Sequence, residues 1–448
     1  MRSDSDMYTL GYAFRPWTDP KAIADGPAIL RYVQDTAREH GIDRRIRFGH
    51  RVVRAAWHTP TARWILDIER GSDAGPLHLS CSFLLMCSGY YRYDAGHTPD
   101  FAGRDTFRGR IVHPQHWTDD IAHAGARLVV IGSGATAVTL VPALAERAAH
   151  VTMLQRSPTW MVALPSEDRL ANGLRRVLPA RIAYAATRWK QVLLQMASFN
   201  LCRRRPALAR SLLLRGVRAR LGPGHDIERH FTPRYNPWEQ RLCLVPDADF
   251  FRALRSGKAS VVTDTIDRFT PTGIRLASGA ELEADLIVTA TGLDLQVLGG
   301  VALEVDGAPV DIAKTLAYKG MMFSGVPNLV SVFGYTNASW TLKADLSCEY
   351  VCRLLNYMKK SGLVQCTPRN TDPTITAEPW IDFSSGYVQR SIALFAKQGS
   401  RPPWKLHQNY ARDLLALRYG KIDDGVMAFG GANEVLPLPL GEGRSEGR

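Results

Sequence analysis

The stretch that most constrains the fold of this chain is residues 127–138, Arg-Leu-Val-Val-Ile-Gly-Ser-Gly-Ala-Thr-Ala-Val. Residues 128–131 form a short apolar run that ends at a glycine, which predicts a buried strand. Residues 132–137 then match the G-x-G-x-x-A turn that leads from a strand into a helix. Gly132 permits the tight turn, Gly134 leaves room for a pyrophosphate, and Ala137 lets helix and strand pack closely. Since a helix N-terminus also offers free N–H groups to phosphates, we predict a dinucleotide site here rather than a purely structural turn.

The size and composition of the chain are those of an ordinary globular protein. Its 448 residues suffice for two or three domains, and 45% of them are hydrophobic. The seven cysteines include no C-x-x-C pair and no zinc spacing, which predicts a cytoplasmic protein without a metal site. We also expect no transmembrane helix, because no apolar run reaches about 18 residues.

The positive charge is concentrated in one segment. The chain carries a net charge of +13, and residues 169–220 hold thirteen Lys and Arg residues but no Asp or Glu. Interleaved leucines predict basic amphipathic helices. A solvated helical face and a peripheral contact with an anionic membrane both remain open at this stage. We predict no nucleic-acid partner, because nothing else in the chain resembles a nucleic-acid module, and an oligomer stays possible.

A pseudo-repeat organises the rest of the chain. Twice, a set of short strand candidates leads into an apolar strand that ends in Ser/Thr-Gly, at residues 87–89 and 290–292. The second copy opens with the glycine turn at Gly132. No strand followed by G-x-G-x-x-G precedes residue 88, so we expect the chain to lack the βαβ entry of its first dinucleotide domain. Whether a misassigned start or a true truncation explains this is left open.

A helix is predicted over residues 26–40. Asp25 caps its start and Gly41 follows its end. The apolar spacing predicts an inner stripe formed by Ile29, Leu30, Val33 and Ala37.

Arg156 indicates which dinucleotide is bound. It closes the second strand after the glycine turn, 24 residues past Gly132. An acidic residue there would bind the ribose hydroxyl of NAD, whereas an arginine favours the 2′-phosphate of NADP through a charge-assisted hydrogen bond. The alternative is an exposed arginine at a strand end with no ligand.

A second motif lies just before the glycine turn. Phe107, Gly109, His113 and Trp117 fit the pattern F-x-G-x-x-x-H-x-x-x-W. This set is the fingerprint of flavin-dependent monooxygenases, and the chain resembles class B flavoprotein monooxygenases of the Baeyer–Villiger type. The resemblance extends to about residue 427, and it is carried by residues 2–10, 113–117, 130–140, 155–158, 235–238, 240–246 and 335–343.

The resemblance implies an α/β fold with two dinucleotide-binding, Rossmann-like domains on the plan of glutathione reductase and the flavin monooxygenases. We expect the first, FAD-binding domain, without its N-terminal βαβ unit, over residues 1–120. The NADP-binding domain is expected over 121–292, with a helical insertion at about 165–225. Residues 293–435 are expected to return to the FAD domain, and 436–448 to form a disordered tail.

The resemblance also implies the chemistry. It predicts an FAD- and NADPH-dependent monooxygenase that uses O2 to oxidise ketones, sulfides or thioamides through a flavin peroxide. Asp4 matches the active-site aspartate that lies beside the flavin and a partner arginine. Arg241 matches the arginine that stabilises the peroxide, and Asp4 is expected to tune its position. Val52 matches a strand residue whose backbone meets the FAD adenine. The residues that match the NADP site are Gly132, Ser133, Gly134, Ala135, Thr136, Ala137, Val138, Gln155 and Arg156.

Two departures and two rival hypotheses accompany this prediction. Many relatives have a lysine where this chain has Gln240, so NADP preference depends more heavily on Arg156. Thr118, where proline or an acid is usual, carries little weight. One rival is a non-catalytic remnant that binds NADP but not FAD. The other, a flavin disulfide reductase, is disfavoured because no C-x4-C pair exists.

Overall fold

The structure, a computed structural model, describes residues 2–71, 75–381 and 383–431. The tail predicted over 436–448 lies outside these residues. The first part of the chain contains α1 (Met7–Leu10), α2 (Gly26–Glu39), β1 (Arg51–His58), β2 (Arg63–Glu69), β3 (Leu77–Cys81), β4 (Leu84–Met86) and β5 (Tyr91–Gly96).

The middle part of the chain alternates strands and helices. Its elements are β6 (Arg110–Val112), β7 (Arg127–Ile131), α3 (Ala135–Ala145), β8 (His150–Gln155), β9 (Met161–Leu164), α4 (Arg169–Val177), α5 (Ala180–Arg204), α6 (Pro206–Leu221), α7 (Ile227–Phe231), β10 (Cys243–Pro246), α8 (Asp249–Arg255), β11 (Ala259–Thr263), β12 (Ile266–Thr270), β13 (Gly273–Leu276), β14 (Glu281–Glu283) and β15 (Leu286–Thr289).

The last part is built from short strands around one long helix. Its elements are β16 (Leu293–Leu295), β17 (Ala302–Val305), β18 (Ala308–Pro309), β19 (Ala317–Tyr318), β20 (Met322–Phe323), β21 (Leu329–Ser331), α9 (Trp340–Lys360), β22 (Leu363–Pro368), β23 (Ala377–Pro379), α10 (Gly386–Ser391), β24 (Lys397–Gly399), α11 (Tyr410–Leu414) and β25 (Met427–Gly431).

A five-stranded parallel sheet with the order β11-β8-β7-β15-β6 forms the centre of the nucleotide domain. Leu128, Val129 and Val130 of β7 are almost fully buried, as expected for a strand covered on both faces. Because β6 pairs in parallel with β15, the domain begins before residue 110. The boundary expected at residue 120 lies too late in the chain, since it would separate β6 from its own sheet.

A second domain, here called the outer domain, is formed by residues 51–96 together with residues after 293, so it lies on both sides of the nucleotide domain in the sequence. β1 pairs with β2 in antiparallel fashion and with β17 in parallel, within the order β18-β17-β1-β2-β3. β4 pairs in parallel with β21. Trp57 and Trp64 share one buried core with Phe333 and Trp380. Residues after 293 therefore complete the core that residues 51–96 begin.

The helices α4 to α6 stand between β9 and β10, within the insertion expected at about 165–225. The inner side of α5 packs on the start of the chain. There Arg188 donates hydrogen bonds to the carbonyl oxygens of Tyr8 and Gly11, at 2.8 and 2.9 Å, and pairs with Asp345 at 2.9 Å. None of the helices in the described ranges is long and apolar enough to cross a membrane.

The helix α2 begins after Asp25, which accepts a hydrogen bond from the N–H of Ala28. Of its predicted inner stripe, Ile29 packs against the core, but two other members face outward. Leu30 is 57% exposed and Val33 is 43% exposed, whereas Tyr32 and Thr36 are buried. The helix turns its tyrosine inward because the Tyr32 ring packs in the core while its hydroxyl donates to a backbone carbonyl at 2.6 Å. The spacing of apolar residues in the sequence does not predict that the tyrosine is buried in place of the leucine and the valine.

A buried ion pair ties α9 to α11. Lys343 lies 3.1 Å from Asp413, and both side chains are at least nine-tenths buried. The Tyr335 hydroxyl donates to the same carboxylate at 2.6 Å. Burial lowers the pKa of Lys343, and the Asp413 carboxylate opposes that effect. The carboxylate is therefore what compensates a cation held away from water.

Candidate active site

The glycine turn at the end of β7 has the geometry of a phosphate cradle. Gly132 has φ +130°, and a Cβ placed on it would lie 2.3 Å from the carbonyl oxygen of Ala290. Only glycine fits this position. A Cβ on Gly134, by contrast, would have no heavy atom within 4 Å. The space beside Gly134 is therefore open, which is what an approaching pyrophosphate requires.

The first turn of α3 borders this space. The helix begins at Ala135, so its first N–H groups have no acceptor within the helix. Ala135 and Thr136 are exposed, whereas Ala137 and Val138 are fully buried and contribute by close packing against the sheet. The Ser133 hydroxyl donates to the carbonyl oxygen of Ser157 at 2.9 Å and fixes the turn to the loop after β8.

Two predicted cofactor contacts at the end of β8 behave differently. Arg156 is exposed and forms no ion pair with any residue that the structure describes. Gln155 is buried, and its side-chain nitrogen donates to the carbonyl oxygen of His230 and to Thr263, each at 2.8 Å. The side chain of Gln155 therefore holds the domain together, and only Arg156 keeps a free charge for a ligand.

The glycine turn yields a matched pair of predictions. Gly132→Ala forces a clash with the Ala290 carbonyl and a strained backbone, so we expect it to lower the free energy of unfolding by about 2 kcal/mol or more. Gly134→Ala is unstrained, yet its methyl group enters the open space. We expect it to leave the melting temperature unchanged and to weaken NADPH binding. Thermal unfolding and NADPH titration separate the two, and equal melting temperatures would contradict the assignment of Gly132.

Asp4 and Arg241 form an ion pair between distant parts of the chain. Arg241 donates to the Asp4 carboxylate at 2.5 Å, across a separation of 237 residues. The Arg241 side chain is 32% exposed and that of Asp4 is 55% exposed. The pairing of an aspartate with a partner arginine, expected from the resemblance, is present here.

Three tyrosines that the sequence analysis missed surround Arg241: Tyr90, Tyr91 and Tyr387. Burial acts to lower the pKa of Arg241, but the Asp4 carboxylate and the tyrosine hydroxyls outweigh it, so this pKa is raised. The hydroxyls of Tyr90 and Tyr387 lie close enough to the guanidinium to interact with it. Burial raises the pKa of Tyr387 to about 12. The signal in the sequence was the Tyr-Tyr pair directly after Gly89.

The motif at 107–117 lies where the chain crosses between the domains. Phe107 is buried, and a Cβ on Gly109 would lie 2.5 Å from the carbonyl oxygen of Asp285. His113 Nε2 bonds the carbonyl oxygen of Gly292 at 3.1 Å, just after β15, and burial lowers the pKa of this histidine. Trp117 packs against the core of the nucleotide domain. The motif residues therefore hold in place the segment that connects the two domains.

The described residues fit the two expected cofactors unequally. The turn at Gly132 and the free Arg156 fit NADP. For FAD, Asp4 and Arg241 are present, and Val52 lies on β1 opposite Ile68, beside an irregularity in the pairing. The described residues contain no second glycine turn, however, and β4 pairs with β21 alone among the described strands. They therefore do not supply a cradle for the FAD pyrophosphate.

Comparisons with known proteins point to flavin-dependent monooxygenases. A family model described as flavin-binding monooxygenase-like matches residues 23–188. The FAD-containing monooxygenase EthA of Mycobacterium tuberculosis is 54% identical over 442 residues, which is 98% of this chain and 89% of that protein. The probable FAD-binding monooxygenase AlmA of Acinetobacter baylyi is 45% identical over 96% of this chain and 86% of its own length.

Solved structures share the fold. An oxidised steroid monooxygenase bound to NADP has a TM-score of 0.68 at 22% identity and covers 82% of this chain and 78% of its own. OTEMO in complex with FAD and NADP has a TM-score of 0.70 at 18% identity, covering 96% and 90%. The predicted α/β fold with two Rossmann-like domains is thereby confirmed.

Proposed function

The chain belongs to the family of FAD-containing monooxygenases, and we propose that it is an oxidoreductase that uses NADPH, FAD and O2 to oxygenate small molecules. We propose ketones, by Baeyer–Villiger oxidation, and sulfides or thioamides as its substrate classes. The observation that carries the proposal is Arg241, paired with Asp4 and surrounded by three tyrosines. We also propose a cytoplasmic location, because all seven cysteines are free thiols.

The residues of this chain have separable tasks in that reaction. The turn at Gly132 and the first turn of α3 bind the NADP pyrophosphate, and Arg156 binds its 2′-phosphate. Flavin, when bound, supplies the redox and oxygen chemistry. Arg241 provides a fixed cation for negative charge that would be costly to bury unpaired, and Asp4 with Tyr90 and Tyr387 orients the guanidinium.

A substrate screen tests the proposal. Purified protein is supplied with NADPH and O2, and a cyclic ketone, an aryl methyl sulfide and an aromatic thioamide are assayed for ester, sulfoxide and S-oxide products. We expect product with at least one class, in step with NADPH consumption. NADPH oxidation that yields only hydrogen peroxide with every class would count against a monooxygenase.

The choice of nicotinamide cofactor is tested at Arg156. Arg156→Ala removes a charge-assisted hydrogen bond worth about 1.5–3 kcal/mol, so we expect KM for NADPH to rise roughly 10- to 150-fold. KM for NADH should stay unchanged, because NADH has no 2′-phosphate. Arg275→Ala, an exposed arginine on β13, is the matched control. If KM for NADPH does not change, Arg156 is only an exposed arginine at a strand end.

A second candidate function is supported by one observation. The described residues lack a second glycine turn and leave one edge of β4 unpaired, which favours a protein that binds NADP without FAD. The visible absorption spectrum of the purified 448-residue chain distinguishes the two. Bound flavin that NADPH reduces supports the monooxygenase, whereas a colourless protein that still binds NADPH supports the non-catalytic alternative.

A further inference from the structure

The outward face of α4, α5 and α6, here called the basic helical surface, combines charge with exposed apolar groups. Two cations of these helices, Arg188 and Lys190, point inward and pair with carboxylates. Six others are exposed and form no ion pair within the described parts of the chain. These are Arg169, Arg176, Arg181, Arg204, Arg205 and Arg215. The surface therefore presents uncompensated positive charge.

The apolar groups on this surface follow helical spacing. On α5, Ile182, Trp189 and Leu193 lie on one side of the helix and are 56%, 44% and 58% exposed. The Trp189 ring also contacts the Tyr410 ring edge-on, and the rest of it faces outward. The opposite side of the same helix buries Tyr184 and Thr187. A helix on an ordinary solvated face would place polar side chains at these outward positions. On α5, these outward positions carry apolar side chains instead.

The neighbouring helices continue the pattern. Val177 at the end of α4 is 75% exposed, and Leu208 and Leu212, one turn apart on α6, are 51% and 44% exposed. Of the 24 large apolar side chains exposed in the described residues, ten lie within residues 169–220. This concentration in 52 residues separates the surface from the scattered exposed apolar groups found on any protein.

From this arrangement we propose that the basic helical surface binds peripherally to an anionic phospholipid membrane. Exposed apolar side chains flanked by arginines are the pattern of interfacial helices, which insert the apolar groups among the acyl chains while the guanidinium groups meet lipid phosphates. A second copy of this chain fits less well. A twofold interface through this surface would bring unpaired arginines against one another.

Vesicle flotation with the full chain tests the proposal. We expect the protein to float with vesicles of phosphatidylglycerol and phosphatidylethanolamine, to bind phosphatidylcholine vesicles far less, and to be released in part by salt. Leu193→Gln with Leu212→Gln, and separately Arg176→Glu with Arg204→Glu, should each lower the partition coefficient roughly tenfold or more. Leu394→Gln with Leu415→Gln, equally exposed elsewhere, is the control and should bind as the parent does.

The variants must retain the parent melting temperature and NADPH affinity, which shows that the surface alone was changed. Equal binding to anionic and neutral vesicles, or binding that neither pair of substitutions reduces, would overturn the proposal. A dimer in solution that Leu193→Gln with Leu212→Gln dissociates would assign the surface to a second copy instead. The result is independent of oxygenation, because Arg241→Ala should float like the parent.

Discussion

Arg241→Ala is expected to lower the rate of substrate oxygenation by about 10²- to 10³-fold while NADPH binding stays unchanged. The guanidinium is held by Asp4 and the tyrosines around it, so its charge is in place before the reaction begins. Alanine removes this preorganised charge and leaves the glycine turn untouched. The measurements are product formation under saturating NADPH and a separate NADPH titration.

Three further variants define what Arg241 does. Arg241→Lys keeps the charge but loses the planar geometry, so we expect partial activity. Asp4→Asn should lower kcat less than Arg241→Ala, because Asp4 acts through the arginine. Arg234→Ala, an exposed arginine on the same segment, is the control and should retain parental activity. Undiminished product formation by Arg241→Ala would refute the role assigned to it.

Asp413→Ala is expected to destabilise the protein by about 3–5 kcal/mol, because it leaves the Lys343 cation buried without its partner. The Tyr335 hydroxyl loses its acceptor at the same time. Lys343→Met together with Asp413→Ala should recover part of the loss, since no lone charge then remains. Thermal unfolding measures both variants. Asp423→Ala, at an exposed carboxylate ten residues further along the chain, should change the free energy of unfolding by less than about 0.5 kcal/mol. A loss as large as that of Asp413→Ala would refute the explanation.

The part of the fold that the sequence predicts well is the part that local interactions determine. The strand, turn and helix from Arg127 to Ala145 depend on apolar runs and on glycines whose steric reason lies a few residues away. The sequence does not reveal that β6 belongs to the nucleotide sheet, because its partner β15 is more than 170 residues further along. Pairing between strands so far apart leaves no periodic pattern in the sequence from which it could be predicted.

The residues of the candidate site also differ in how well the sequence predicts them. Arg156 could be assigned from its position after a strand, and the structure leaves it exposed. Gln155, its neighbour, is turned inward by hydrogen bonds to His230 and Thr263, which no pattern in the sequence predicts. Asp4 and Arg241 were paired through family resemblance. Tyr387 was missed because three separate segments meet only in the folded chain.

The pairing of β1 with β17 sets an order of events during synthesis. Arg54 of β1 pairs with Ala302 of β17, which is 248 residues further along the chain. At about 5–20 residues per second, the ribosome needs roughly 12–50 s to synthesise that length. The nucleotide domain, whose sheet strands end at Thr289, emerges complete within this interval. During this interval the first half of the outer domain, whose core includes Trp57 and Trp64, has one edge of β1 unpaired. The nascent chain is therefore most prone to aggregation before residue 302 leaves the ribosome.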